Sequence, residues 1–243
     1  MDPVDRTARF PVGAVVTLED LTGDVHPCLA RLRTAEPVSW LPAIGGWLVT
    51  GRDPALAVLR DADSFTVDDP RFSTARVVGP SMLSTDGADH ARHRAPFAGA
   101  FRHAVVMDGF GAWTAIEARR LLAGHLAVGR CDLRAVLAAP LAVGVIARAL
   151  NLEEADPDRV LGWYRAIVAG VEGVNAGREV GDGTRRAVAD LRRTVDRTVR
   201  DSAGSLLAEV AEEGSLTADE LFSNTAVLMF GAIETSEGMT ANA

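Results

Sequence analysis

After Thr85, apolar residues recur every three or four positions along most of the chain, the periodicity of helices that bury one face. Helices are predicted over about 86–103, 105–128, 135–150, 157–173, 184–203, 205–213 and 218–240. Before Thr85 the pattern is mixed. From Asp24 to Arg33, DVHPCLARLR sets Cys28, Leu29 and Leu32 on one side of a short helix. PVSWLP and GGWLVTG, rich in Val and Trp and closed by Gly and Pro, predict a β-hairpin. Asp53 and Pro54 then open a helix through ALAVLRDAD, with Asp53 as N-cap and Pro54 in the first turn. Residues 64–84 have no clear period and hold Pro70, Gly79 and Pro80, so a loop of functional length is expected. The glycine-rich stretch 170–183 predicts a flexible connection between two helices, either a mobile lid or a plain linker. The fold class is therefore mainly α with a small β-hairpin, in a single domain over 1–243.

Composition narrows the function. Of the 243 residues 48% are apolar, enough for a core, and the net charge of −8 argues against nucleic-acid binding, which needs a concentrated positive surface. Cys28 and Cys131 match no disulfide or metal spacing, which suits a reducing compartment, and the cytoplasm is the expected location. No apolar run approaches the roughly 20 residues that span a bilayer, and the N-terminus lacks a signal peptide's apolar stretch, so no membrane partner is expected. All 25 basic residues are arginine, from which no function follows.

Two stretches carry candidate chemistry. In DGADHARHRAPFAGAFR, Asp86 is an N-cap candidate with Asp89 in the first turn, and His90 and Arg94 lie four apart on one helix face. Such a pair suits a ligand with paired carboxylates, because Arg donates in a fixed fork and His from either ring nitrogen. Phe101 follows His90 by eleven residues, close to three turns, and would lie on nearly the same face as an apolar wall. A solvated arginine face explains the same residues, and His90 with His93 and Asp86 or Asp89 is a weaker metal alternative. In SLTADELFSNTAVLMFGAIETSEGM, Thr217 and Glu220 form a capping box ahead of a helix expected to be buried on most of its circumference, ending in Glu234, Thr235 and Ser236. Either Gly231 and Ala232 admit a flat or diatomic ligand beside a proton-handling hydroxyl and carboxyl, or Thr235 simply bonds back to Gly231 while Glu234 reaches solvent.

Together the two stretches resemble the cytochrome P450 family, and the intervening elements follow that family's order from about Asp24 to Ala243. His90, Arg94 and Phe101 match the family's C-helix pattern for the haem propionates. Gly231, Ala232, Ile233, Glu234, Thr235 and Ser236 match its oxygen-activating I-helix motif, with Ala232 where glycine is preferred and Ser236 where a second threonine is common. The resemblance implies a haem cofactor, a small apolar substrate and a ferredoxin- or flavoprotein-type redox partner. It places Met82 and Leu83 at the haem edge, with Gly231, Ala232 and Thr235 beside the cofactor and Glu234 and Thr235 in proton delivery. Substrate would touch Val77, Val78, Leu228, Ala232, Ile233 and the connection near Gly173. The family's Glu-x-x-Arg helix and cysteine-ligand loop have no counterpart in these residues, and neither Cys28 nor Cys131 has the setting of the axial ligand. The chain is thus expected to match the N-terminal part of that fold and, on its own, to be inactive. The alternative is a non-catalytic relic or a helical subunit.

Overall fold

The computed structural model describes residues 3–125, 129–152 and 156–242. The chain divides into two compact units, Met1–Thr66 and Val67–Ala243.

The first unit runs α1 (Pro3–Arg9), α2 (Pro11–Ala14), α3 (Leu18–Thr22), α4 (His26–Ala35), β1 (Val38–Leu41), β2 (Gly46–Val49) and α5 (Arg52–Arg60). The predicted hairpin is present as an antiparallel pair in which Val38 faces Val49 and Trp40 faces Trp47. Between the strands, Pro42–Ile44 form a 3-10 turn closed by Gly45 at φ +59, a left-handed conformation that glycine adopts without strain. Val16, Cys28, Leu32 and Leu41 make the unit's small core. Its tightest point is Gly13, where a Cβ would stand 2.6 Å from the Trp40 carbonyl oxygen. Glu36 fastens the same place, accepting from the backbone N–H groups of Val12 at 2.8 Å and Gly13 at 3.0 Å. α5 begins two residues earlier than expected. Its N-cap is Gly51 and Asp53 lies inside the first turn, where the carboxylate still favours the positive helix end.

The second unit contains α6 (Ser73–Val78), α7 (Gly87–Ala98), α8 (His103–Ala123), a π-helical turn Arg134–Ala138 leading into α9 (Ala139–Ala149), α10 (Pro157–Asn175), α11 (Asp182–Asp201), α12 (Leu206–Glu213) and α13 (Ala218–Ala241). Its core joins Phe97, Val143, Ile146, Leu150, Trp163, Ile167, Leu191, Val195, Phe222, Met229 and Ile233. α13 has more buried residues than any of the other described helices, every residue from Leu221 to Val227 being buried.

Three expectations change. The segment 64–84 is not wholly a loop, because α6 forms within it. The helix expected over 86–103 ends at Ala98, and Phe101 lies in the turn before α8. The last residues of the helix expected over 105–128, Leu126–Val128, lie outside the described residues. The glycine-rich stretch is half helix: α10 continues to Asn175, and only 176–181 connect it to α11. Gly170 is the reason, since a Cβ there would meet Thr184 Cγ2 at 2.6 Å, and Thr184 Oγ1 donates to the Ala166 carbonyl at 2.9 Å. Its glycine serves a helix–helix contact and not chain mobility. Farther along the same pair, Asp190 accepts from Arg159 at 2.9 and 2.7 Å, from Trp163 Nε1 at 3.0 Å and from Arg193 at 3.0 Å. These donors hold its carboxyl well below the usual range.

Candidate functional site

Asp86 precedes α7 in extended conformation, as an N-cap should, but its side chain does not cap the helix. Its Oδ2 instead accepts from Val67 N at 2.7 Å and Asp68 N at 3.3 Å, tying down the preceding segment. α7 then sorts its basic residues into two sets.

Arg92 and His93 are committed to α13. Arg92 donates to both carboxylate oxygens of Glu220, at 2.7 and 3.1 Å, and to the Ser215 carbonyl at 3.2 Å. His93 is 2% exposed, with Nδ1 2.9 Å from Asn224 Nδ2. Two backbone groups fix the Asn224 amide: Oδ1 accepts from Met82 N at 2.8 Å, and Nδ2 donates to the Glu220 carbonyl at 2.7 Å. His93 Nδ1 thus faces an amide donor, and Nε2 lies 3.1 Å from Arg92 Nη2 and 3.3 Å from Glu220 Oε1, so both ring nitrogens are engaged. Glu220 also closes the expected capping box, accepting from Thr217 N at 2.9 Å. Hydrogen bonds from Arg92, then from Thr217, lower its carboxyl to about 2. With His93 so engaged, the His90–His93 metal pairing does not form, and among the described residues no group of three His, Cys, Asp or Glu could hold a metal ion.

His90 and Arg94 form the other set. His90 is half-buried and Arg94 exposed, and among the described residues neither side chain has a hydrogen-bond or ion-pair partner. They lie one turn apart. The three-turn argument for Phe101 fails because α7 stops at Ala98, although Phe101, 40% exposed, offers an open apolar ring. Met82 is half-buried and Leu83 42% exposed.

On α13, Gly231 and Ala232 are half-buried and Ile233 fully buried. A Cβ added at Gly231 would meet no atom within 4 Å, so the space beside it is open. Glu234 and Thr235 are exposed, not buried as the apolar run suggested. Thr235 Oγ1 donates to the Gly231 carbonyl at 2.6 Å, as one of the two sequence readings required. Because a hydroxyl has one proton, its oxygen remains available only as an acceptor. Sequence reasoning missed Tyr164 of α10, which lies beside Phe230 with ring centroids 6.0 Å apart. Burial and then the charges of Glu234 and Glu237 raise its phenol above the usual value, while Arg134, bonded to Glu237 at 2.6 Å, opposes them.

Val77 and Val78 border a groove of about 400 Å³ with Phe222 and Ser223, and Val78 is 3% exposed. Ala232 lies ten residues beyond Phe222, about 15 Å along α13.

This architecture is that of the N-terminal part of a cytochrome P450. Over 87% of its length the chain superposes on CalO2 with a TM-score of 0.70 and 24% identity, covering 56% of that structure. Over 90% it superposes on P450BioI, solved with a fatty-acyl acyl carrier protein, with a TM-score of 0.71 and 19% identity, covering 60%. Sequence agrees. The chain is 29% identical to the cytochrome P450 monooxygenase PikC of Streptomyces venezuelae over 97% of its length, and 28% identical to the nocardicin C N-oxygenase of Nocardia uniformis subsp. tsuyamanensis, also over 97%. The chain is similar in sequence to these P450s and spans about three fifths of their length, 59% and 60%. No protein-family model matches the chain. Among the described residues, no helix is long and apolar enough to cross a membrane.

Proposed function

We propose that the chain forms the N-terminal, cofactor-cradling part of a haem-dependent monooxygenase that oxidises a small apolar molecule with electrons from a ferredoxin- or flavoprotein-type partner. The supporting observation is the division of labour on α7. Its inward pair is engaged by Glu220 and Asn224, whereas among the described residues His90 and Arg94 have no hydrogen-bond or ion-pair partner and could donate to the two propionates. The open space beside Gly231 fits a flat group lying against α13, with Met82, Leu83 and Phe101 as apolar edges and Ala232 small enough to permit the approach.

Bound haem would supply the oxygen-activating redox chemistry. Thr235 accepts a hydrogen bond while its own proton stays on Gly231, and the exposed carboxylate of Glu234 exchanges protons with solvent one residue away. Leu228 and Val77, both partly buried, line the apolar side offered to substrate, and Val78 and Ile233 support them from within the core.

The test is haem titration followed by absorbance, using haem and its propionate dimethyl ester. The parent should bind free-acid haem about tenfold more tightly than the ester, and H90A/R94A should lose that preference. Equal affinities in the parent would refute the assignment. Turnover by these relatives' chemistry also requires a native product heavier than 25.7 kDa, because no cysteine here has the setting of an axial ligand; intact mass in the host decides this.

A further inference from the structure

Two adjacent α13 side chains grip the segment that precedes α7, and both grips are on its backbone. Ser223 Oγ donates to the Val78 carbonyl at 2.7 Å, sharing its one proton with the Asp219 carbonyl at 2.9 Å, and Asn224 Oδ1 accepts from Met82 N at 2.8 Å. Only Gly79, Pro80 and Ser81 lie between the gripped groups. Gly79 has φ +96, and a Cβ there would stand 2.6 Å from Ser223 Oγ, so its backbone passes directly over the hydroxyl. Ser81 and Ser84 brace the far side, Ser84 Oγ accepting from Ser81 N at 3.0 Å. Asn224 is 0% exposed and completes its bonding with the Glu220 carbonyl and His93 Nδ1, so the loop, α7 and α13 meet at one amide.

We infer that Ser223 and Asn224 are positioning residues: a two-point clamp that fixes the Gly79–Met82 backbone and thereby sets where Met82 and Leu83 stand at the cofactor's edge. The second half of this statement rests on the haem reading above; the clamp itself does not. Side chains touching only backbone impose no identity on the exposed Pro80, so that position can change without changing the path of the segment. A core asparagine with only a packing role would show no such selective hold on one remote amide.

The experiment is residue-resolved hydrogen exchange on the full chain, with Asn224→Ala, Ser223→Ala and, as a reference, Thr225→Val. Thr225 is equally buried and bonds only within α13, to the Leu221 carbonyl at 2.8 Å. Protection of the Met82 amide should fall about tenfold in Asn224→Ala relative to α9 core amides, and should follow those amides in Thr225→Val. The ¹⁵N shifts of the His93 ring should differ between the parent and Asn224→Ala, because the variant removes the Nδ1 partner. Haem affinity of Asn224→Ala should weaken severalfold while its preference for free-acid haem over the ester is retained. Met82 protection that is unchanged in Asn224→Ala, or lowered equally by Thr225→Val, would overturn the clamp. Lost protection with unchanged haem affinity would overturn the positioning role. Failure of the His90–Arg94 ester test would instead count against the haem reading and leave the exchange result standing.

Discussion

Replacing Glu220 by Gln isolates the charge that joins α7 to α13. The glutamine retains an amide oxygen for the Thr217 capping box, since Gln serves that motif as Glu does, but it cannot form the two-oxygen pair with Arg92. A carboxyl lowered from 4.5 to about 2 corresponds to a ceiling of about 3 kcal/mol. Glu220 is 24% and Arg92 38% exposed, so solvent screening reduces the expected loss to about 1–2 kcal/mol at neutral pH. The sign follows from linkage. A depressed carboxyl stabilises the fold fully above its unfolded value of 4.5, and the contribution disappears as pH falls toward about 2. Urea unfolding followed by circular dichroism should therefore show the parent more stable than Glu220→Gln at pH 7, with the gap closing steadily between about pH 5 and pH 3. Comparing the two proteins at each pH cancels acid effects from other carboxylates. A gap that is absent at pH 7, or constant down to pH 3, would refute the electrostatic account of this contact.

Other substitutions probe separate parts of the structure. Gly13→Ala should destabilise the first unit by about 2 kcal/mol in denaturant titration, because the added carbon meets the Trp40 carbonyl and Ser39 Cβ at 2.6 and 2.9 Å. Gly231→Ala should move two readouts in opposite directions: thermal stability should rise slightly, by up to about 1 kcal/mol for an unobstructed helical glycine, while haem titration should show weaker binding. Asp190→Asn should cost about 1–2 kcal/mol at pH 7 by urea unfolding, with the difference from the parent shrinking as acid protonates the parent's carboxyl.

Local chemistry was legible wherever neighbours in sequence are neighbours in space. The hairpin could be read from Val and Trp runs closed by Gly and Pro, and the start of α13 from Thr217 and Glu220, because those partners lie within a few residues of each other. The spacing of His90 and Arg94 also placed them one turn apart, but only the structure separates them from Arg92 and His93. That separation depends on contacts 128 and 131 residues away in sequence, which periodicity does not encode. α6 escaped notice because six residues between Phe72 and Gly79 are too few to establish a period; Ser223 holds their end from outside. Gly170 and Gly173 read as breakers of α10, yet Gly170 is where Thr184 approaches, so a packing requirement outweighs its low helix propensity. The apolar run of α13 announced burial without saying where it stops, hence the misplaced expectation for Glu234 and Thr235.

The fastening of α10 to α11 has a mechanical consequence. Thr184 grips near the turn and Asp190 six residues on, about 9 Å farther along α11, and two clasps at different heights resist both splaying and sliding. The pair is therefore a beam rather than a hinge. A substitution in the 176–181 turn is therefore expected to change the surface that the turn presents while leaving the spacing of the two helices as it was.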